Sequence, residues 1–125
     1  MKIFSVEEAN SLLPAVQQLV RKIQRAHNLI MSEKNEAKRA AEGAESGGGG
    51  ISNGLAYATN LIRLSNLVSE LETLGVQLKD FSRGLIDFPS LRDGRVVLLC
   101  WQLGEGDRLE WWHDVDAGFA GRTPL

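Results

Sequence analysis

Residues 95–114, RVVLLCWQLGEGDRLEWWHD, decide how the rest of the chain reads. An apolar, branched and aromatic run is followed by GEGD at 104–107 and then by a second apolar run. That is the signature of two antiparallel strands and a turn. The pattern predicts a hairpin of about Val96–Leu103 with about Arg108–His113, folded at Glu105-Gly106. In that register Leu103 faces Arg108, Trp101 faces Glu110, Cys100 faces Trp111, Leu99 faces Trp112 and Leu98 faces His113. Side chains alternate along a strand. Val96, Leu98 and Cys100 therefore share a face with Leu109, Trp111 and His113, and Val97, Leu99 and Trp101 share the other with Trp112. Both faces of the first strand are apolar. Helices can cover one; the other needs a partner chain, the C-terminal tail or a ligand.

Upstream, VQLKDF alternates as a half-buried strand does, and GLIDFP is a second short apolar piece ended by Pro89. Asp93-Gly94 is a strong turn signal.

The N-terminal half is helical. Ser5 suits an N-cap, with Glu8 placed to close a capping box. Pro14 lacks an N–H for the Asn10 carbonyl, so a kink or a split into two helices is expected there. Leu12, Val16, Leu19, Ile23, Ala26 and Ile30 follow steps of four and three, widened by Leu13, Val20 and Met31. Tyr57, Leu61, Leu64, Val68 and Leu71 repeat the spacing in a second helix that ends at Gly75. Between them, SEKNEAKRAAEGAE reads as a solvated extension held by pairs such as Glu36 with Arg39. The Gly run is a flexible connection; no Lys-Ser/Thr follows it and no strand precedes it, so it is not a phosphate-binding loop.

The expected fold is α+β: a long antiparallel helical hairpin followed by a small antiparallel β-sheet. The 125 residues form one domain on this reading, with 1–42 helical, 43–50 a flexible Gly-rich connection, 51–75 helix, and 76–125 hairpin and tail.

A net charge of −2 argues against a general nucleic-acid binder. A basic set on the first helix (Arg21, Lys22, Arg25, Lys34, Lys38, Arg39) is interleaved with acids, and residues 104–125 carry five acids against two arginines. One cysteine makes no intrachain disulfide. No signal peptide or membrane-length apolar run is present, so a cytoplasmic protein without a membrane partner is expected.

The chemistry-bearing residues crowd the C-terminus. Asp87, Glu105, His113, Asp114 and Arg122 are candidate ligand-binding residues, with His113 as acid or base, the carboxylates as its partners and Arg122 as an anion clamp. Cys100, His113, Asp114 and Asp116 are weak metal-ligand candidates, because no characteristic ligand spacing is present. The competing readings are structural. Cys100 is a small buried apolar residue, about 7–8 Å diagonally from His113. His113 bonds to backbone where its strand ends, and Arg122 pairs with Asp87, Asp114 or Asp116 to fix the tail. His27 flanks the helical stripe.

FSVEEANSLLP, GVQLKDFSRGLIDFP, DGR, CWQLGE and WWHDVDAGFAGRTPL together resemble a bacterial family of small uncharacterised proteins, domain of unknown function 2203. The resemblance spans nearly the whole chain except the Gly run. It draws attention to Gly84, Asp87, Phe88, Pro89, Cys100, Trp101, Gly104, Glu105, Trp112, His113, Gly118, Phe119, Gly121 and Arg122, and implies no activity, substrate or cofactor for them. The two functional expectations are an interaction or structural module that self-associates as a homo-oligomer, and a small-ligand or metal-binding protein or enzyme with its site at WHDVDAGFAGR.

Overall fold

The computed structural model describes residues 1–43 and 54–125. Apart from Gly43, the Gly-rich connection expected at 43–50 lies outside the described residues, as does the expected start of the second helix at 51–53. Helix α1 (Val6–Glu42) and helix α2 (Gly54–Thr73) precede an antiparallel sheet of β1 (Gln77–Asp80), β2 (Leu85–Arg92), β3 (Arg95–Gln102), β4 (Trp111–Asp114) and β5 (Thr123–Pro124). The strands lie in chain order. The fold is α+β, a helical hairpin against a five-stranded meander. No helix among the described residues is long and apolar enough to cross a membrane.

Ser5 caps α1 with the expected reciprocal box: its Oγ accepts from the Glu8 N–H, and the Glu8 carboxylate accepts from the Ser5 N–H, both at 3.0 Å. The helix is not split at Pro14; it runs through as one element. Pro14 is exposed, and its turn sits on a helix whose opposite side is anchored in the core. The buried stripe is Ala9, Leu13, Val16, Leu19, Val20, Ile23, Ala26 and Ile30, with Leu12 only half-buried; Ala9, Leu13, Val16, Val20 and Ile23 lie deepest. These side chains meet Ile86, Phe88, Leu99, Trp101 and Leu109. Each fully buried large aliphatic there contributes about 1.5–3 kcal/mol.

Helix α2 is much less covered. Only Leu71 is fully buried, and Leu61 is exposed although it lies on the expected stripe. Two helices paired without a third layer leave their distal ends wet. Asn60 Nδ2 donates to Glu33 Oε1 across the pair at 2.7 Å. The expected Glu36–Arg39 pair is not among the ion pairs of the described residues. At the C-terminus of α2, the Val76 N–H reaches back to the Leu71 carbonyl at 3.3 Å around Gly75, whose φ is +90°.

Pro89 does not end its strand. β2 runs through it to Arg92. β1 pairs with β2 only as far as Asp87, so beyond that point β2 has no strand on that side. The N-terminal segment fills the gap: the Phe4 N–H donates to the Pro89 carbonyl at 2.7 Å, and Ser90 Oγ donates to the Phe4 carbonyl at 2.6 Å. A residue without an N–H is tolerated at such a position.

The predicted β3–β4 register is present where the strands pair: Cys100 opposite Trp111, Leu99 opposite Trp112, Leu98 opposite His113. The pairing does not extend to the expected Leu103–Arg108 end, and β4 begins at Trp111. The loop's backbone groups are engaged elsewhere. The Gln102 N–H donates to Glu105 Oε1, the Leu103 N–H to Gly84, the Leu109 N–H to Asn10 Oδ1, and Trp101 Nε1 to the Gly106 carbonyl.

Candidate functional site

The helices cover the sheet face carrying Ile86, Phe88, Leu99 and Trp101. The opposite face carries Asp87, Cys100 and His113. Register explains their meeting. Asp93 and Gly94, with φ of +52° and +78°, turn β2 into β3, so Arg92 faces Arg95 and Asp87 faces Cys100 directly. His113 is opposite Leu98, one diagonal step from Cys100. One ligand atom from each of Asp87, Cys100 and His113 lies within 4.8 Å of the other two. All three residues are buried, at 2 %, 1 % and 3 % exposure.

This face is closed within the chain by its own tail. After β4, the Ala117 N–H donates to the Asp114 carbonyl, and a 3-10 turn at Phe119–Gly121 brings Arg122 back over β3 and β4. The Arg122 guanidinium stacks 4.8 Å from the Trp111 ring centre and 4.0 Å from that of Phe119, and interacts with the Cys100 thiol. Its Nη1 donates to Glu105 Oε1 at 2.8 Å. Arg122 thus pairs with Glu105 rather than with Asp87, Asp114 or Asp116. Glu105 is pre-set for this by accepting from the Gln102 N–H.

Two expected candidates are outside the cluster. The Asp114 carboxylate turns to Arg95 at 3.0 Å on an exposed surface, though its backbone carbonyl touches His113. Asp116 is exposed. His27 stacks on Phe81 with ring centres 5.0 Å apart and takes no part.

The imidazole is oriented from both sides. His113 Nδ1 is 2.8 Å from the Asp114 carbonyl. A carbonyl only accepts, so Nδ1 carries the hydrogen. Nε2 then faces the Asp87 carboxylate, 3.1 and 3.2 Å from its two oxygens. Two lone pairs cannot face each other at that distance in a buried site. A proton or a metal ion must lie between Nε2 and the carboxylate. Burial pushes the Asp87 carboxyl up, opposed by the His113 charge and hydrogen bond, by the Cys100 thiol and by Lys79. Burial likewise pushes the Cys100 thiol up to about 12, and the neighbouring Asp87 charge and hydrogen bond add to this, against Arg122. Burial works against the charge of Arg122, but its Glu105 hydrogen bond and ion pair, with Cys100, hold it above the ordinary value. A thiol held in the neutral form is a poor nucleophile.

The link that sequence reasoning missed is Asp87 with Cys100. Its signal was Asp93-Gly94: counting back from a two-residue turn puts the two opposite each other. Arg83 was missed as well. It lies in the turn between β1 and β2, its Nε donates to Gln102 Oε1 at 3.2 Å, and its guanidinium stacks 4.0 Å from the Phe119 centre.

No curated protein and no solved structure matches this chain. One family description matches residues 2–125, which takes in both helices, the whole sheet and every residue of the buried cluster. The chain therefore belongs to the family described as uncharacterized conserved protein, DUF2203.

Proposed function

We propose that the protein binds a divalent metal ion of the zinc class through Asp87, Cys100 and His113. The observation that carries this is His113 itself: Nδ1 is committed to a backbone carbonyl, and Nε2 is aimed at a carboxylate beside a thiol. A histidine whose far nitrogen donates to a carbonyl is the usual second layer of a metal site. Carboxylate, thiolate and imidazole are all zinc ligands, and bond lengths near 2.0–2.3 Å put tetrahedral ligand atoms roughly 3.3–3.6 Å apart. The separations of 3.1–4.8 Å need only small rotations to reach that.

Charge supports the same reading. One carboxylate, one thiolate and a neutral imidazole balance a dication, and Arg122 is balanced by Glu105. In a buried site this matters, because an uncompensated charge costs several kcal/mol. The ion also supplies what the metal-free site lacks, a reason for the Cys100 thiol to deprotonate.

Metal analysis after dialysis tests the proposal. The wild-type chain retains one zinc per molecule; Asp87→Asn, Cys100→Ser and His113→Gln each lose it. Dialysed wild-type protein without metal, or variants that retain zinc equally, overturn it.

Self-association is a second reading, supported by Leu29, Met31, Leu61 and Ile62, which stay exposed on the helical hairpin. A monomer by light scattering across a wide concentration range removes it. The second apolar face of β3 no longer argues for a partner, since the chain buries that face itself.

A further inference from the structure

We infer that the metal site takes a small oxyanion, a carboxylate or phosphate group that binds the ion and is clamped by Arg122. This rests on the proposed metal site and names the ligand class it would receive. Three protein ligands leave a tetrahedral ion one position, the arrangement of sites that bind an exogenous ligand. The tail side of the cluster is where Arg122 lies, against Cys100, Trp111 and Phe119. Glu105 accepts from its Nη1 and the Cys100 thiol lies against it, and a guanidinium offers five N–H donors in a planar fork that fits two oxygens at once.

The two guanidiniums stacked on Phe119 favour an anion at the position. With the ion bound, the inner ligands sum to zero, and Glu105 neutralises Arg122. Arg83 then remains. It stacks on the same Phe119 ring, bonds the neutral Gln102, and has no ion pair among the described residues. Although the Asp80 carboxylate accepts from the Arg83 backbone N–H at 3.0 Å, the Arg83 guanidinium is a second positive group on that ring. A neutral ligand would gain nothing from it, and a cation would be repelled.

The experiment uses the cobalt-substituted full chain, titrated separately with inorganic phosphate and with acetate while its visible spectrum is followed, and with chloride at matched ionic strength as control. At least one of the two oxyanions should shift the cobalt bands saturably, and which one does distinguishes a phosphate from a carboxylate ligand. Arg122→Lys keeps the charge but loses the fork, and should weaken that oxyanion about tenfold, the worth of one charge-assisted hydrogen bond. Arg83→Gln, an exposed change, should weaken it by a smaller factor and leave cobalt binding unaltered. Cobalt bound but bands unmoved by both anions overturns the inference and leaves the metal site standing. Arg83→Gln binding the oxyanion as tightly as wild type removes the role of the Arg83 charge and contradicts the inference even if Arg122→Lys does not fold. Failure to bind cobalt overturns both.

Discussion

Asp87 and Cys100 face each other across β2 and β3, and both are almost wholly buried. A carboxylate in that position is costly unless something holds it, and here His113 does, from the next strand. Removing one partner of a buried pair costs more than the pair is worth. Asp87→Ala should therefore destabilise the metal-free protein by about 3 kcal/mol. Asp87→Asn should cost only about 1 kcal/mol, because its amide N–H can donate to Nε2. Urea midpoints at constant slope, in the presence of a chelator, measure both.

The thiol gives a pH dependence of known sign. Folding raises Cys100 from an ordinary 9.0 to about 12. As pH rises past 9 the unfolded chain gives up this proton first, so the contribution is complete below about 9 and is lost as pH climbs towards 12. With a chelator present, wild-type stability should fall over that window more steeply than that of Cys100→Ala. In the metal-free native protein a disulfide reagent at pH 8 should react only as fast as the chain opens.

Metal uptake should release protons. One lies between Nε2 and the Asp87 carboxylate, and one is on the thiol. Calorimetry of zinc binding in buffers of different ionisation enthalpy should report about two protons released per ion near neutral pH. Release near zero would mean that the ion binds elsewhere.

Gly84 is a steric prediction. Its φ is +61°, and an added Cβ would meet Leu103 Cβ at 2.9 Å and Val20 Cγ1 at 3.0 Å. The left-handed backbone and the clash together should make Gly84→Ala cost about 2 kcal/mol or more. Thermal or urea denaturation reads this directly. Ser5→Ala, which breaks the capping box without touching the core, should cost about 1 kcal/mol.

The parts of the fold legible in the sequence were those set by local periodicity. The stripe on α1, the cap at Ser5 and the register around Cys100 and Trp111 each follow from spacing within a short window. What was not legible depended on distant segments. Pro89 reads as a strand end until Phe4 is seen beside it. Residues 103–110 read as a tight hairpin until Asn10 and Gly84 take their N–H groups. Leu61 reads as core because its spacing cannot reveal that no third layer covers α2. The candidate site was half legible: His113, Arg122 and Asp87 stood out as residues, but the diagonal distance from Cys100 to His113 hid that Asp87 joins them.

Cobalt absorption of the purified chain tests the central claim most directly. One equivalent of Co²⁺ should give an intense thiolate-to-cobalt band in the near ultraviolet with visible bands of four-coordinate strength, and Cys100→Ser should abolish the first while Asp114→Asn leaves both intact. A spectrum like that of aqueous cobalt, or a thiolate band that persists in Cys100→Ser, would contradict a metal ion held by Asp87, Cys100 and His113.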